Sequence, residues 1–288
     1  VSDRGAPRLA FVQLDLPGHL GLDDGRYLLR DADPEPASVV VVQTLGAPQA
    51  RRHGRRRSRR AEPGEAPEVP LTRLTAIAPE GLDRAELEAD LARLGRDAEA
   101  AEAAITDALG TINRLLRAHR IATQDPYGHE IARRAALAVR VGFGTGDGLA
   151  DGRWEEAIEV PPPVRRERRA GALRPQERLA AVLAGREPID VCEPLLLRAR
   201  ADLDSKRPRE AALQLRAGLE ALLTELPGRA GPDQETDLAT LRERREATAA
   251  AANAALRGDL AAEQADALAE TLRISERVLR RRQALRAD

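Results

Sequence analysis

The stretch Leu9-Ala10-Phe11-Val12-Gln13-Leu14-Asp15-Leu16 decides how this chain begins. Ala10, Val12, Leu14 and Leu16 alternate with Phe11, Gln13 and Asp15, the two-residue period of a half-buried β-strand. Residues 25–30 and 38–44 follow as further short extended segments, each bounded by Gly, Pro or Asp. Val39, Val40, Val41 and Val42 are β-branched throughout, which suits a strand covered on both faces. Strand character resumes over residues 71–77, and Leu137, Val139, Val141 and Phe143 alternate again farther on. A small sheet therefore opens the protein, and the chain returns to it after its first helices.

Those helices have their own signals. Asp83-Arg84-Ala85-Glu86 places an acceptor three residues before a carboxylate, the spacing of a helix start, and Leu87, Leu91 and Leu94 continue at helical intervals. Ile105, Leu109, Ile112, Leu116 and His119 form the stripe of a second helix, with Gly95 as the expected break between the two. Residues 46–70, rich in Arg, Pro, Gly and Glu, offer almost nothing apolar to bury and read as a disordered loop.

Pro161-Pro162-Pro163 and the charged run that follows mark a stiff boundary. Beyond it the pattern is helical over about 175–184, 190–204, 208–226, 235–257 and 260–286, with Gly185, Gly228 and Gly258 near the ends. Leu215, Leu219, Leu222 and Leu226 give the clearest apolar stripe. The expected architecture is α+β and predominantly helical: a small α+β domain over 1–160, a linker over 161–174 and an α-helical bundle over 175–288.

Composition narrows the function classes. Basic and acidic residues nearly cancel, 46 against 47, so no overall field draws the molecule to nucleic acid or an acidic membrane. Lys206 is the only lysine, and the excess of Arg and Ala reads as the codon bias of a high-GC bacterial genome. Cys192 is the only cysteine, which excludes an intrachain disulfide and a Cys-based zinc site and fits a reducing cytoplasm. No run of about 18 apolar residues and no leader pattern is present. The absence of Met points to a trimmed or alternatively started N-terminus.

Few motifs carry chemistry. Arg51, Arg52, Arg55, Arg56, Arg57, Arg59 and Arg60 crowd ten residues with His53, and such a segment can tether nucleic acid weakly by neutralising phosphates. The competing expectation is a solvated loop that meets the acidic residues between Glu80 and Glu102. Residues 142–152 carry a glycine run after a strand. It lacks the helix opening that a dinucleotide fingerprint needs and the Gly-Lys-Ser/Thr of a Walker loop, so it reads as a hairpin or mobile loop. His129-Glu130 starts a zinc-protease pattern, but Arg133 stands where the second ligand belongs. Cys192 beside Glu193 has no sequence partner that marks a nucleophile.

Two local resemblances stand beside these readings. Arg114-Leu115-Leu116-Arg117-Ala118-His119 is similar to the arginine, four-spacer, histidine arrangement of HEPN-type ribonucleases, which implies a paired-helix nuclease site at Arg114 and His119. Leu115 departs from that family's usual polar residue. Residues 195–223, with Ala199, the turn Lys206-Arg207-Pro208-Arg209-Glu210-Ala211 and Leu215, resemble a single tetratricopeptide repeat, which implies a two-helix hairpin of the kind that builds binding surfaces. Gly218 stands where that family carries Ala. No catalytic residue, cofactor or metal is expected. The leading expectation is a non-catalytic protein–protein interaction or scaffolding protein that binds another protein or its own copy through helices.

Overall fold

The computed structural model describes residues 7–30, 38–46, 70–162, 169–226, 232–258 and 260–287. The chain divides into two compact units, Val1–Arg165 and Arg166–Asp288. The fold is α+β with helix predominating: an N-terminal antiparallel sheet with two helices, followed by a helical unit.

The first unit holds six strands, β1 (Arg8–Pro17), β2 (Gly25–Leu29), β3 (Ser38–Leu45), β4 (Leu71–Leu82), β5 (Ala138–Thr145) and β6 (Glu156–Glu159), in the order β2-β3-β4-β1-β5-β6. All neighbours are antiparallel, with Val12 opposite both Ala76 and Val141. This register puts Leu14, Val40, Val42, Leu74, Val139, Val141 and Phe143 on one face. There they bury against α1 (Arg84–Arg96) and α2 (Ala98–Thr123) through Leu87, Leu91, Ile105, Leu109, Ile112 and Leu116. Each such fully buried side chain contributes about 1.5–3 kcal/mol, so this layer dominates the unit's stability.

The start of α1 is a capping box, in which Asp83 accepts from the Glu86 amide while the Glu86 side chain accepts from the Asp83 amide. The break between the helices falls at Asp97, not at Gly95. Asp97 ends α1 and accepts from the Glu99 and Ala100 amides at the start of α2, because a short carboxylate satisfies helix donors that glycine leaves bare.

The opposite face of the sheet differs from the half-exposed side that alternation in β1 predicts. Phe11, Gln13 and Asp15 are buried. The chain between β5 and β6 folds back over them, burying Leu149 and Ala150 and stacking Trp154 on Phe11 at 5.4 Å. β6 itself gave no sequence signal, since Glu156-Ala157-Ile158-Glu159 is short and half charged. Gly142 and Gly144 belong to β5, where glycine is required by close approach. A Cβ on Gly142 would overlap the Glu156 carbonyl and stand 2.8 Å from the Ala157 Cα.

The second unit contains α3 (Arg169–Leu183), α4 (Cys192–Asp204), α5 (Pro208–Glu225), α6 (Pro232–Arg257) and α7 (Ala262–Ala287). Helix α3 begins six residues before the expected helix start at 175, with Pro175 inside it. Helices α4 and α5 pair as the hairpin implied by the repeat resemblance, turning through Lys206 in a left-handed conformation (φ 56°). Gly218 fits that hairpin, since a Cβ there would sit 3.0 Å from Leu196 Cδ2. Helix α7 packs against α4, α5 and α6, which closes the four into a bundle instead of extending a repeat array. Arg200–Glu276, Glu220–Arg245 and Asp237 with Arg277 and Arg281 link α4 to α7, α5 to α6 and α6 to α7.

Gly142→Ala must push β6 off the sheet edge. We expect a loss of about 1–3 kcal/mol in chemical denaturation, with faster amide exchange in β6. Unchanged stability would show that the β5–β6 spacing yields freely.

Candidate functional site

Three places in the described residues gather polar groups or leave space. The first lies on the covered sheet face, where Asp15 of β1 accepts from Arg73 Nε at 2.7 Å and Nη2 at 3.1 Å, and from Arg140 Nη1 at 2.8 Å. Burial alone would raise the Asp15 carboxyl, but hydrogen bonds from both guanidinium groups and their charges outweigh it and hold the group below its ordinary range. Beside it, Gln13 donates to Thr75 Oγ1 and to the Ala150 carbonyl, which pins the covering chain to the sheet. The Asp15 carboxylate is engaged by two partly exposed guanidinium groups, which suits structure better than turnover, and the buried Gln13 Oε1 has no hydrogen-bond partner among the described residues.

The second place is at the start of α4. Glu225, the last residue of α5, accepts from the Val191 and Cys192 amides and so caps α4 from another helix. Burial, a hydrogen bond with Glu225 and the surrounding carboxylates push the Cys192 thiol up to about 12. It stays protonated at neutral pH and is no nucleophile. Buried Arg282 pairs with Asp190 nearby, and Arg178 of α3 donates to Glu187 and to both Glu193 oxygens.

The third is a cavity of about 260 Å³ on the helix side of the first unit. Ala10 and Val12 of β1, Ala76 and Ala78 of β4, and Val141 and Phe143 of β5 form its floor, with Leu87, Leu91 and Leu94 of α1 and Ala104 and Ala108 of α2 above. Ser38, Asp90, Asp107 and Thr111 supply polar groups. A dry void of that volume would cost about 6 kcal/mol at roughly 24 cal/mol per Å³, a large share of a domain's stability. The exposed Asp90 and Asp107 instead mark it as open to solvent.

The residues singled out in sequence are not brought together. Arg51, Arg52, Arg55, Arg56, Arg57, Arg59 and Arg60 lie outside the described residues. Six of the acidic groups between Glu80 and Glu102 are engaged close to home: Asp83, Glu86 and Asp97 cap helices, Glu88 and Asp90 pair with Arg84 and Arg93, and Glu102 pairs with Arg133. Arg114 donates to the Arg30 carbonyl, while His119 lies beside Gly21. Five residues apart on a helix is about 140° of rotation, so the two diverge. The sequence holds no second Arg-x4-His for a paired helix. His129 is exposed, and among the described residues no group of three or more His, Cys, Asp or Glu could hold a metal ion. No described helix is long and apolar enough to cross a membrane.

Sequence reasoning missed the Asp15 clamp and the cavity. The signal for the cavity was Ala104 and Ala108, alanines one position before the stripe residues Ile105 and Leu109, together with Ala76 and Ala78 at strand period. No family model, curated protein or solved structure matches this chain. Function therefore has to be read from its own residues.

Asp15→Asn leaves two partly buried guanidinium groups without their carboxylate, and we expect about 2 kcal/mol lower stability at pH 7. Because the folded carboxyl is lowered, the clamp contributes fully above its ordinary value of 3.8 and loses its contribution as pH falls through the folded value. Urea denaturation of both proteins between pH 3 and 7 should show the gap closing at the acid end. A pH-independent gap would remove the ionic account.

Proposed function

We propose that this chain is a non-catalytic protein–protein interaction or scaffolding protein that works through its helical unit, binding another protein or a second copy of itself. The observation that carries the reading is a run of exposed aliphatic side chains on α3, on the segment after it and on α4. Leu179, Leu183, Ile189, Val191 and Leu197 are each at least half exposed, and Leu183 reaches 77%. Single exposed leucines are ordinary, whereas five large aliphatic side chains between Leu179 and Leu197 offer material for an interface core. A net charge of −1 raises no long-range barrier to association. The protonated Cys192 and the ion pairs supply no reacting group. The lone cysteine, buried and unpaired with another, suits a reducing, cytoplasmic setting, and the Arg and Ala bias suits a bacterial source.

Leu183→Glu/Val191→Glu tests the reading, since both positions are exposed and the fold should survive, as checked by circular dichroism. Sedimentation of the full chain, with capture from an extract of its source cells, should show self-association or a stoichiometric partner for the wild type. Binding should weaken about tenfold or more in the variant. A wild type that stays alone in both experiments, or a variant that binds equally well, would sink the proposal.

A second reading rests on a separate observation, the seven arginines among residues 51–60. A tether of this kind predicts nucleic-acid binding that is weak, indifferent to sequence and steeply reduced by salt. Replacing Arg51, Arg52, Arg55, Arg56, Arg57, Arg59 and Arg60 by Ser should abolish retention of a fluorescent RNA or DNA duplex in a titration at 50 mM salt. Full retention would end this reading.

A further inference from the structure

The apolar layer between the sheet and its two helices is not filled to the same depth throughout. At one end Leu14, Leu74, Val139 and Ile112 are fully buried. At the other the same faces carry Ala76, Ala104 and Ala108, and Val12, on the central strand, stays only half-buried. Small side chains in the place of branched ones create the 260 Å³ cavity, and the exposed Asp90 and Asp107 connect it to solvent. Apolar surface is thereby left wet inside the fold, at a position where a larger side chain at any of these alanines would have covered it.

We propose that this cavity binds a compact, mostly apolar molecule with a neutral polar head group. Size follows from volume: an apolar cavity of about 150 Å³ admits benzene, so this one takes a molecule on the order of ten non-hydrogen atoms, such as a fused ring pair or a medium-length chain. The head group follows from charge. The lining contributes no basic side chain to hold an anionic head, and Arg93 pairs with its Asp90 from outside, so charge gives no reason for an ionic head of either sign. Ser38 and Thr111 add hydroxyl groups that can hydrogen-bond a neutral one. This site lies in the first unit and is independent of the interface proposed for the second.

The test uses the full chain and the neutral fluorescent probe N-phenyl-1-naphthylamine. The probe should bind saturably at one site, decanol should displace it, and decanoate should do so at least about tenfold less well. Ala108→Leu fills the space from α2 and should weaken probe binding about tenfold or more while circular dichroism and thermal stability are retained or improved. Ala78→Val narrows the same space from the sheet and stands in should the first variant fail to fold. No saturable binding, unchanged binding in a folded filler variant, or decanoate matching decanol would each overturn the proposal.

Discussion

The first unit depends on satisfying a carboxylate that β1 carries into the middle of a sheet. Flanked by β4 and β5, β1 has no solvent edge, and the chain between β5 and β6 closes over its second face. An ionised group buried there without partners would cost several kcal/mol. Arg73 from β4 and Arg140 from β5 reach Asp15 from both neighbouring strands, so the ion cluster also fixes which strands flank β1. A one-residue slip would turn these side chains toward the helices and bring apolar ones under the covering loop.

The second unit solves a different problem, since it must hold helices together with few large side chains. Alanine at positions 199, 212, 251, 252 and 255 lets backbones approach, leucine supplies the volume, and ion pairs link neighbouring helices. The carboxylate of Glu225 ends one helix and begins another, so the cap of α4 is supplied by α5. Order in the unit is therefore collective, while α3 is tied on by Arg178 and keeps apolar side chains in water.

Much of this was legible in residue spacing. Alternation found β1 and β5, and heptad-like stripes found α2 and α5, because burial on one side leaves a periodic trace, while an unbroken β-branched run found β3. Covering the other side erases that trace. Asp15 looked like a solvent-facing residue because its partners, Arg73 and Arg140, lie 58 and 125 positions away in the chain, and Gln13 because Thr75 and Ala150 lie 62 and 137 away. Strand β6 was invisible for the same reason, since its place is dictated by two glycines on β5 and not by its own residues. The cavity was legible only in part: alanine marks an absence of volume, and spacing alone does not reveal whether neighbours fill it.

The tight turn between α4 and α5 carries one further consequence. Lys206, held there in its left-handed conformation and exposed, supplies the only side-chain amine among these 288 residues. Every acylating reagent or enzyme that seeks such an amine meets the chain at a single address, the tip of the first hairpin of the bundle. The arginines that carry the rest of the positive charge are closed to that chemistry, so an acyl tag of this kind would report on one point and leave the arginine ion pairs intact.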